Sequence, residues 1–372
     1  MKVVLINQST GYLMVDIVNA YSEKYEDVTL FAGNVDEYER PLSSKVKIEK
    51  LIRYNKSSIF KRIYTWLYSF VQITWKLKTR YKDAYVIYVT NPPLSYWAVL
   101  FTKNAFSIIE YDIYPEALKN IGIKETHFIY RIWGNFNRKF FKRADTIFTL
   151  SDGMKSLLSK YTDSAKIKVV YNWSSNSDLK PLDNKLNPFV KEYGLQNKFV
   201  VMYSGNIGYT HNVELLLELA IKFKQDPSIH FMIIGDGGKK ADLMNIASQN
   251  GLTNCTFLDW LPADKIRFSL AASDLSVVTL TEETAFVSVP SKTYNLLAVG
   301  SPLLCIAPKK SEIAKLVNEE KCGIVYEKTE LEAMCVFVKQ LKESSEMQQT
   351  MRMNSLKASE KYTCLNAKKY VI

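Results

Sequence analysis

The sequence predicts an α/β protein of two doubly wound domains that face each other across a cleft, and three observations support this fold class. The chain has 372 residues, a length that suggests about two domains. Short apolar runs alternate with helical patterns in both halves, which is typical of parallel sheets covered by helices. Several of these runs end in turns that carry glycine or acidic residues, and ligands of such sheets bind beyond the carboxyl ends of the strands.

The composition is that of a globular protein, because 47% of the residues are hydrophobic and 23% are charged. The five cysteines form no CxxC pair and lie mostly in apolar runs, so we expect reduced thiols in a cytosolic protein. The first residues enter a strand directly, without the apolar segment of a signal peptide. No run approaches the roughly 20 apolar residues that span a bilayer.

The first half opens with a predicted strand at 3–7, a turn at 8–11 that leads into a helix near Tyr12, and a second strand at 28–32. This order is typical of a Rossmann-like sheet. Only Gly11 stands where a GxGxxG pattern would be, so the sequence does not indicate a dinucleotide site.

The formal charge of +11 arises mostly from the window 50–82, which holds nine Lys and Arg residues and no Asp or Glu. Its centre, 59–75, has the pattern of an aromatic-rich helix. We predict that this helix lies on an anionic membrane surface, with the cations on the lipid headgroups. The residues expected at headgroup level are Trp66, Tyr68, Phe70 and Trp75.

Two alternatives remain for this window. The helix at 59–75 could pack under the sheet with its charged ends in water. A basic and aromatic patch also fits nucleic acid, but no RNA- or DNA-binding motif accompanies it, so no nucleic-acid partner is expected.

Three carboxylates lie at or just beyond the end of the predicted strand 105–109, which follows a strand at 85–90. They are Glu110, Asp112 and Glu116. Acids at strand ends usually face the cleft, where they can bind sugar hydroxyls or act as a base. Asp112 is the preferred base, because Glu116 could instead cap the next helix.

The remaining predicted strands of the first half are 146–150 and 167–170. We predict a first domain at 1–178, a linker at 179–198 that lacks a sustained apolar period, and a second domain at 199–355. Residues 356–372 are predicted to form a helix that returns to the first domain. In the second domain, strands are expected at 199–204, 230–234, 255–258, 275–279 and 303–307, with helices at 212–225, 239–250, 262–271 and from 290.

The last of these helices has marked ends. Pro290 suits a first helical turn, Gly300 suits a left-handed C-terminus, and Pro302 prevents continuation. Free backbone N–H groups at its start, together with the Ser291 hydroxyl and the Lys292 ammonium, offer donors and positive charge to a phosphate or diphosphate. Serine and lysine also begin helices that bind nothing, so the alternative is an ordinary helix start.

In the residues and motifs described above, the chain resembles a retaining glycosyltransferase of family 4, which has the GT-B fold of two Rossmann-like domains. The resemblance covers almost the whole chain. Its motifs are 204–208, 234–237, 257–261, 273–275 and 289–302 in the second half, and 112–116, 150–154 and 171–173 in the first half. The motifs of the first half are similar to those of the subgroup that assembles bacterial surface polysaccharides.

The resemblance implies that the second domain binds a nucleotide-sugar, expected to be UDP-linked, and that the first binds the acceptor. No cofactor or metal is implied. The residues expected to bind the donor are Gly205, Asn206, His211, Gly235, Asp236, Gly237, Ser291, Lys292 and Asn295. Asp112 and Lys292 are the expected catalytic residues, and Gly11, Tyr111 and Glu116 are expected to contact the acceptor.

This sequence departs from the family at several positions. The two glutamates that the family places seven residues apart correspond to Val287 and Asn295, which leaves Glu282 or Glu283 to supply the first acid. The usual basic pair corresponds to Asn206 and His211. His211 is expected to donate to phosphate, with an exposed loop histidine as the alternative. Tyr111 stands where relatives often have histidine.

The expected function is transfer of a hexose or amino sugar to a lipid-linked glycan at the inner face of the plasma membrane. A sugar-nucleotide 2-epimerase shares the architecture but needs convergent acids and histidines, and the chain has only His127, His211 and His230. A membrane-surface scaffold that has lost catalysis is the non-enzymatic alternative.

Overall fold

The computed structural model describes residues 1–372 except 38–39, 56, 122–123, 176–177, 209–210 and 283–288. The chain divides into two compact units. The first comprises Met1–Ser175 together with Cys364–Ile372, and the second comprises Asn176–Thr363. Each unit is an α/β structure built on one large parallel sheet, as the sequence predicts.

The sheet of the first unit has seven strands in the order β5-β3-β1-β6-β7-β8-β9, and all of its described pairings are parallel. The order reverses direction between β1 and β6, which is where open α/β sheets bind ligands. The strands are β1 (Lys2–Ile6), β3 (Asp27–Ala32), β5 (Lys47–Lys50), β6 (Tyr85–Val89), β7 (Phe106–Glu110), β8 (Ile147–Thr149) and β9 (Ile167–Val169); β2 (Ser9–Thr10) and β4 (Asn34–Val35) form a separate pair.

The helices of the first unit are α1 (Tyr12–Lys24), α2 (Ile59–Thr79), α3 (Phe128–Arg143) and α4 (Asp152–Leu158). Shorter 3-10 helices lie at Ser95–Leu100, Glu116–Ile121, Ser164–Lys166 and Cys364–Tyr370. The last of these packs on α1 within the first unit, where the Tyr21 hydroxyl donates to the Tyr370 carbonyl at 2.7 Å.

The sheet of the second unit has six parallel strands in the order β12-β11-β10-β13-β14-β15. Counted from β10, this is the 3-2-1-4-5-6 order of dinucleotide-binding folds. The strands are β10 (Phe199–Ser204), β11 (Ile229–Ile234), β12 (Cys255–Leu258), β13 (Leu275–Thr279), β14 (Leu303–Ile306) and β15 (Gly323–Tyr326). The helices are α5 (Pro188–Glu192), α6 (Glu214–Lys222), α7 (Lys240–Gln249), α8 (Ala263–Ala271), α9 (Lys292–Ala298), α10 (Glu312–Glu320), α11 (Leu331–Glu343) and α12 (Ser345–Ser359).

Two boundaries differ from the sequence-based expectation. The segment 179–198, predicted as a linker, belongs to the second unit, because Phe189, Val190 and Leu195 bury their side chains against Val200 and Met202 of β10. At the other end, α12 stays with the second unit, and the chain joins the first unit at Cys364 rather than at 356.

Candidate functional site

A cavity of about 400 Å³ opens at the carboxyl end of the second sheet, next to the point where strand order reverses between β10 and β13. Six of the residues expected to bind the donor line it: Gly205, Asn206, His211, Ser291, Lys292 and Asn295. The other lining residues are Ser204, Ile234, Trp260, Leu261, Ile266, Ser269, Leu270, Pro290 and Leu296. The cavity therefore has one polar end, at the turn after β10 and the start of α9, and one apolar end, between the loop after β12 and α8.

The glycine turn after β11 supports the turn after β10 from behind. A Cβ atom on Gly235 would lie 1.9 Å from the Gly205 carbonyl oxygen, and one on Gly237 would lie 2.5 Å from the Ile207 carbonyl carbon. Gly235 also has φ +141°, which side chains rarely adopt. Gly235, Asp236 and Gly237 do not line the cavity. They lie directly against the turn after β10, and this contact sets the position of Gly205 and Asn206.

Lys292 reaches the polar end of the cavity from the first residue of α9. Its Nζ atom lies 3.9 Å from the centroid of the Tyr203 ring and would be 3.0 Å from a Cβ on Gly205. The atom is buried and has no hydrogen-bond partner among the described residues. Burial lowers the pKa of Lys292 to about 7, because no carboxylate in this part of the chain offsets the lost hydration. An amine with this pKa can take up a proton at neutral pH and then bind an anion.

At the start of α9, where free backbone N–H groups are predicted, two of the first amides are already bonded within the turn. The Thr293 N–H already donates to the Pro290 carbonyl at 2.9 Å, and the Tyr294 N–H donates to the Ser291 carbonyl at 3.2 Å. The end of α9 follows the prediction, because Gly300 has φ +70° and its N–H donates to Leu297. At this site the side chain of Lys292 supplies the positive charge.

His211 is the one histidine in the cavity lining. Burial, Lys292 and Lys239 lower its pKa, so its ring is neutral at pH 7 and can donate from one nitrogen. His230 instead bonds Thr256 at 2.9 Å, and His127 caps α3 by accepting from the Ile129 N–H. The histidines do not converge as the epimerase alternative requires.

Two aromatic residues of this site were missed from the sequence. Tyr203, the penultimate residue of β10, forms the surface under the Lys292 amine and donates its hydroxyl to the Asn206 carbonyl at 2.6 Å. Trp260 lines the apolar end with 58% of its surface exposed. Trp260 lies in a motif that the sequence analysis did identify, and an exposed tryptophan after a strand end is the signal that could have marked it.

A second cavity of about 340 Å³ lies beyond the ends of β13, β14 and β15. Glu282, Glu327 and Lys328 are its charged lining residues. Glu282 is therefore placed at the edge of the same sheet, whereas Glu283 and Val287 fall outside the described residues.

In the first unit, the three carboxylates follow β7 as predicted. Glu110 is 1% exposed, and burial together with Asp112 and Glu116 raises its pKa well above the usual range. Asp112 reaches the surface, yet desolvation by surrounding protein raises its pKa as well. Glu116 accepts a hydrogen bond from the Tyr161 hydroxyl at 2.6 Å. Burial and the neighbouring carboxylates thus raise the pKa of Glu110, and burial raises that of Asp112, so both hold a proton more readily than ordinary carboxyl groups.

The turn that carries Asp112 is held by the end of β6. The Thr90 hydroxyl accepts from the N–H groups of Tyr111 and Asp112, at 3.0 and 3.3 Å. Tyr111 extends to α1, where its hydroxyl lies 3.8 Å from the Met14 sulfur, and burial raises its pKa. Gly11, at the start of α1, is exposed, with open space where a side chain would be.

The basic window contains α2, whose buried side mixes polar and apolar residues. Its buried residues are Thr65, Ser69, Ile73, Lys76 and Leu77, and Lys76 pairs with Glu49 of β5 just outside the window. Large apolar side chains are exposed instead: Ile59, Phe60, Ile63, Tyr64, Leu67, Tyr68, Val71 and Trp75. Of the four residues expected at headgroup level, Tyr68 and Trp75 are exposed, whereas Trp66 and Phe70 are half-buried.

The described residues contain neither a membrane-spanning helix nor a group of metal ligands. No helix there is both long enough and apolar enough to cross a bilayer. No group of three or more His, Cys, Asp or Glu side chains in the same part of the chain is arranged to hold a metal ion.

Comparison with known proteins agrees with this architecture. Residues 188–358 match the family model described as glycosyl transferases group 1. The chain is 26% identical to the probable glycosyltransferase WbjE of Pseudomonas aeruginosa over 325 residues, 85% of this chain and 81% of that protein. It is 30% identical to the putative colanic acid biosynthesis glycosyl transferase WcaI of Escherichia coli K12 over 191 residues, 49% of this chain and 45% of that protein.

Solved structures share the fold over nearly the whole chain. The crystal structure of Anabaena Alr3699/HepE with UDP and glucose has a TM-score of 0.75 at 16% identity, covering 99% of this chain and 97% of that one. WaaG, a glycosyltransferase involved in lipopolysaccharide biosynthesis, has a TM-score of 0.67 at 14% identity, covering 96% and 95%. The protein is therefore a glycosyltransferase with the GT-B fold. The match to the group 1 glycosyltransferase model lies within its second unit.

Proposed function

We propose that the protein transfers a hexose or amino sugar from a UDP-sugar to a lipid-linked saccharide, with retention of the anomeric configuration, in surface polysaccharide biosynthesis. The single observation that carries the donor half of this proposal is the buried, unpartnered Lys292 amine at the polar end of the cavity. The complexes of HepE with UDP and with UDP-glucose support a UDP-sugar as the donor.

In this proposal the donor diphosphate lies against Lys292, Gly205 and Ser291, and the nucleoside occupies the apolar end beside Trp260 and Leu261. Departure of the nucleotide leaves negative charge on the diphosphate. A protonated Lys292 already fixed beside that charge stabilises it without reorganisation. No carboxylate of the described residues competes with the diphosphate for the amine.

The acceptor half rests on the carboxylates after β7. Asp112 is exposed and has a raised pKa, so it is a stronger base than an ordinary aspartate and can take the proton of the attacking hydroxyl. Glu116 and Tyr111 are proposed to bind neighbouring sugar hydroxyls, with Gly11 leaving room for the acceptor.

The lipid-linked acceptor is supported by α2 and by the relatives. The exposed apolar side of α2 lies among cations of the window 50–82, a combination suited to an anionic membrane surface. The names of WcaI and WaaG refer to colanic acid and lipopolysaccharide biosynthesis, pathways that assemble saccharides for the cell surface. We therefore place the enzyme at the inner face of the plasma membrane.

The test uses a panel of sugar nucleotides and two variants. A UDP-sugar at 100 times its dissociation constant should stabilise the protein by about 2.7 kcal/mol, and the panel identifies the donor as the one that stabilises and is slowly hydrolysed. Lys292→Ala removes a charge-assisted hydrogen bond worth about 1.5–3 kcal/mol, so donor binding or turnover should fall roughly 10- to 150-fold. Asp112→Asn should slow transfer while leaving donor binding intact.

Three results would contradict the proposal. Full donor affinity and rate in Lys292→Ala would show that the diphosphate binds elsewhere. Conversion of a UDP-sugar to its 2-epimer without any acceptor would favour the epimerase, and binding without hydrolysis or transfer would favour a scaffold.

A further inference from the structure

Arg62, on the inner side of α2, has a guanidinium without a counter-charge. The side chain is half-buried, and its Nε atom is buried without a hydrogen-bond acceptor. It forms no ion pair with any carboxylate of the described residues. A buried donor on a permanent cation costs free energy when it has no hydrogen bond. Its presence in a folded protein therefore indicates a ligand that accepts this hydrogen bond.

Trp66 lies one helical turn further along α2 and repeats this feature. Its indole Nε1 is buried and also lacks an acceptor, while its ring stacks on Tyr54 with centroids 6.1 Å apart. Residues four apart face the same side of a helix, so Arg62 and Trp66 lie on one side of α2. Two such donors, one of them on a cation, match the oxygens of a phosphate group.

This part of α2 is tied to the edge of the first sheet where the acceptor is proposed to bind. The Gln8 side chain, which follows β1, donates to the carbonyls of Thr65 at 3.1 Å and Ile52 at 3.0 Å. The Arg62 charge also acts on Tyr114, which lies between Asp112 and Glu116 in the chain. The Arg62 charge therefore reaches the segment that carries the carboxylates after β7, and Arg62 belongs to the helix that bears the exposed apolar side chains.

We propose that Arg62 and Trp66 bind a phosphate of the acceptor, so that the acceptor is a saccharide linked to lipid through a phosphate or diphosphate. The lipid chain would lie along the apolar side of α2, near Phe60 and Leu67, and the saccharide would reach Asp112. This assignment rests on the proposed function, since it names the linkage in the lipid-linked acceptor.

The test measures binding of geranyl diphosphate by calorimetry, with UDP at saturation so that the diphosphate cannot enter the donor cavity. Arg62→Gln should weaken geranyl diphosphate binding about 10- to 100-fold, because a charge-assisted bidentate contact is lost. Arg62→Lys should give an intermediate loss, because it keeps the charge without the planar fork. Arg131→Gln, an exposed arginine on α3, is the matched control and should bind like the unchanged protein.

Equal binding by Arg62→Gln and Arg131→Gln would overturn the proposal. Inorganic pyrophosphate is a second probe and should bind at least tenfold more weakly than geranyl diphosphate; equal affinity would mean a site for free diphosphate and would overturn the acceptor assignment. UDP-induced stabilisation is measured on every variant. If UDP does not stabilise the unchanged protein, the proposed function itself is refuted. If UDP stabilises it but geranyl diphosphate does not bind, only this inference is refuted.

Discussion

Lys292 combines a donor-binding position with an environment that disfavours its own charge. The aromatic ring of Tyr203 lies under the amine, and no carboxylate of the described residues pairs with it. Burial takes its pKa from 10.5 to about 7, which corresponds to an upper limit of about 5 kcal/mol against the charged form. The empty site therefore stores unfavourable free energy that an anionic ligand relieves on binding.

We predict that Lys292→Met increases the unfolding free energy of the empty protein at pH 7 by at least about 1 kcal/mol and raises its thermal midpoint, because an apolar chain fits the buried position. Between about pH 7 and pH 10.5 the unfolded chain holds a proton on Lys292 that the folded chain does not. Stability of the unchanged protein should therefore rise with pH across this range, and Lys292→Met should lack this component.

Thermal melts from pH 6 to pH 10 check this prediction. Lys339→Met, at an exposed lysine of α11, is the matched control and should leave both the midpoint and its pH dependence unchanged. A lower midpoint in Lys292→Met at pH 7 would mean that the amine stabilises the empty fold. The position of Lys292 was predictable from its motif, but its burial over Tyr203 was not, because it depends on packing between β10 and α9.

At the scale of elements, α2 is unusual because its buried side mixes polar and apolar residues while many large apolar side chains are exposed. Thr65 and Ser69 are buried, whereas Phe60 is 82% exposed and Trp75 is 54% exposed. Lys76 and Arg80 are partly neutralised by Glu49, which lies 3.7 Å from Arg80, so fewer cations of the window are available to lipid than the sequence suggests. In the proposed membrane association, the apolar side should therefore contribute more of the affinity than charge alone.

We predict that the protein sediments with anionic liposomes at low salt and detaches only partly at 1 M salt. Each cation near the surface contributes up to about 1 kcal/mol, and the Debye length falls from about 10 Å at 0.1 M to about 3 Å at 1 M. Changing Phe60, Leu67 and Val71 together to Ser should remove the salt-resistant fraction.

The matched control changes three exposed apolar residues of the second unit, Leu186, Val336 and Met353, to Ser and should sediment like the unchanged protein. Equal sedimentation with neutral and anionic liposomes at low salt would contradict the membrane proposal. So would a salt-resistant fraction that survives the triple change in α2.

The sequence predicted the central strands of both sheets and the helix ends around Gly300, because these depend on local periodicity and backbone conformation. It missed β5, whose residues Lys47–Lys50 are mostly exposed and charged, and β15, which is four residues long and only partly buried. Both are edge strands, and an edge strand forms by pairing with a neighbour rather than through an apolar run of its own.

At the scale of the whole molecule, the chain leaves the first unit, forms the second, and then adds Cys364–Ile372 to the first. Tyr370 is fully buried there. Its ring lies 5.0 Å from that of Phe148, and its hydroxyl donates to the Val170 carbonyl at 3.3 Å. This short segment therefore completes the core of the first unit.

We predict that Tyr370→Ala destabilises the first unit by about 3–5 kcal/mol, the usual cost of removing a buried aromatic side chain. Hydrogen exchange should speed up in α1 and β9 and remain unchanged in the second unit, where UDP should still stabilise the fold. Leu365→Ala, at a residue of the same segment that is 64% exposed, should have little effect. Faster exchange confined to β10–β15 would contradict this assignment.

The return of Cys364–Ile372 to α1 also has a consequence for synthesis on the ribosome. Residues 1–175 emerge first, but the 188 residues of Asn176–Thr363 must be translated before Tyr370 is available. Domains usually fold as they emerge, N-terminal first. Here the nascent first unit lacks this segment, and α1 stays uncovered at Tyr21, until the second unit has been translated.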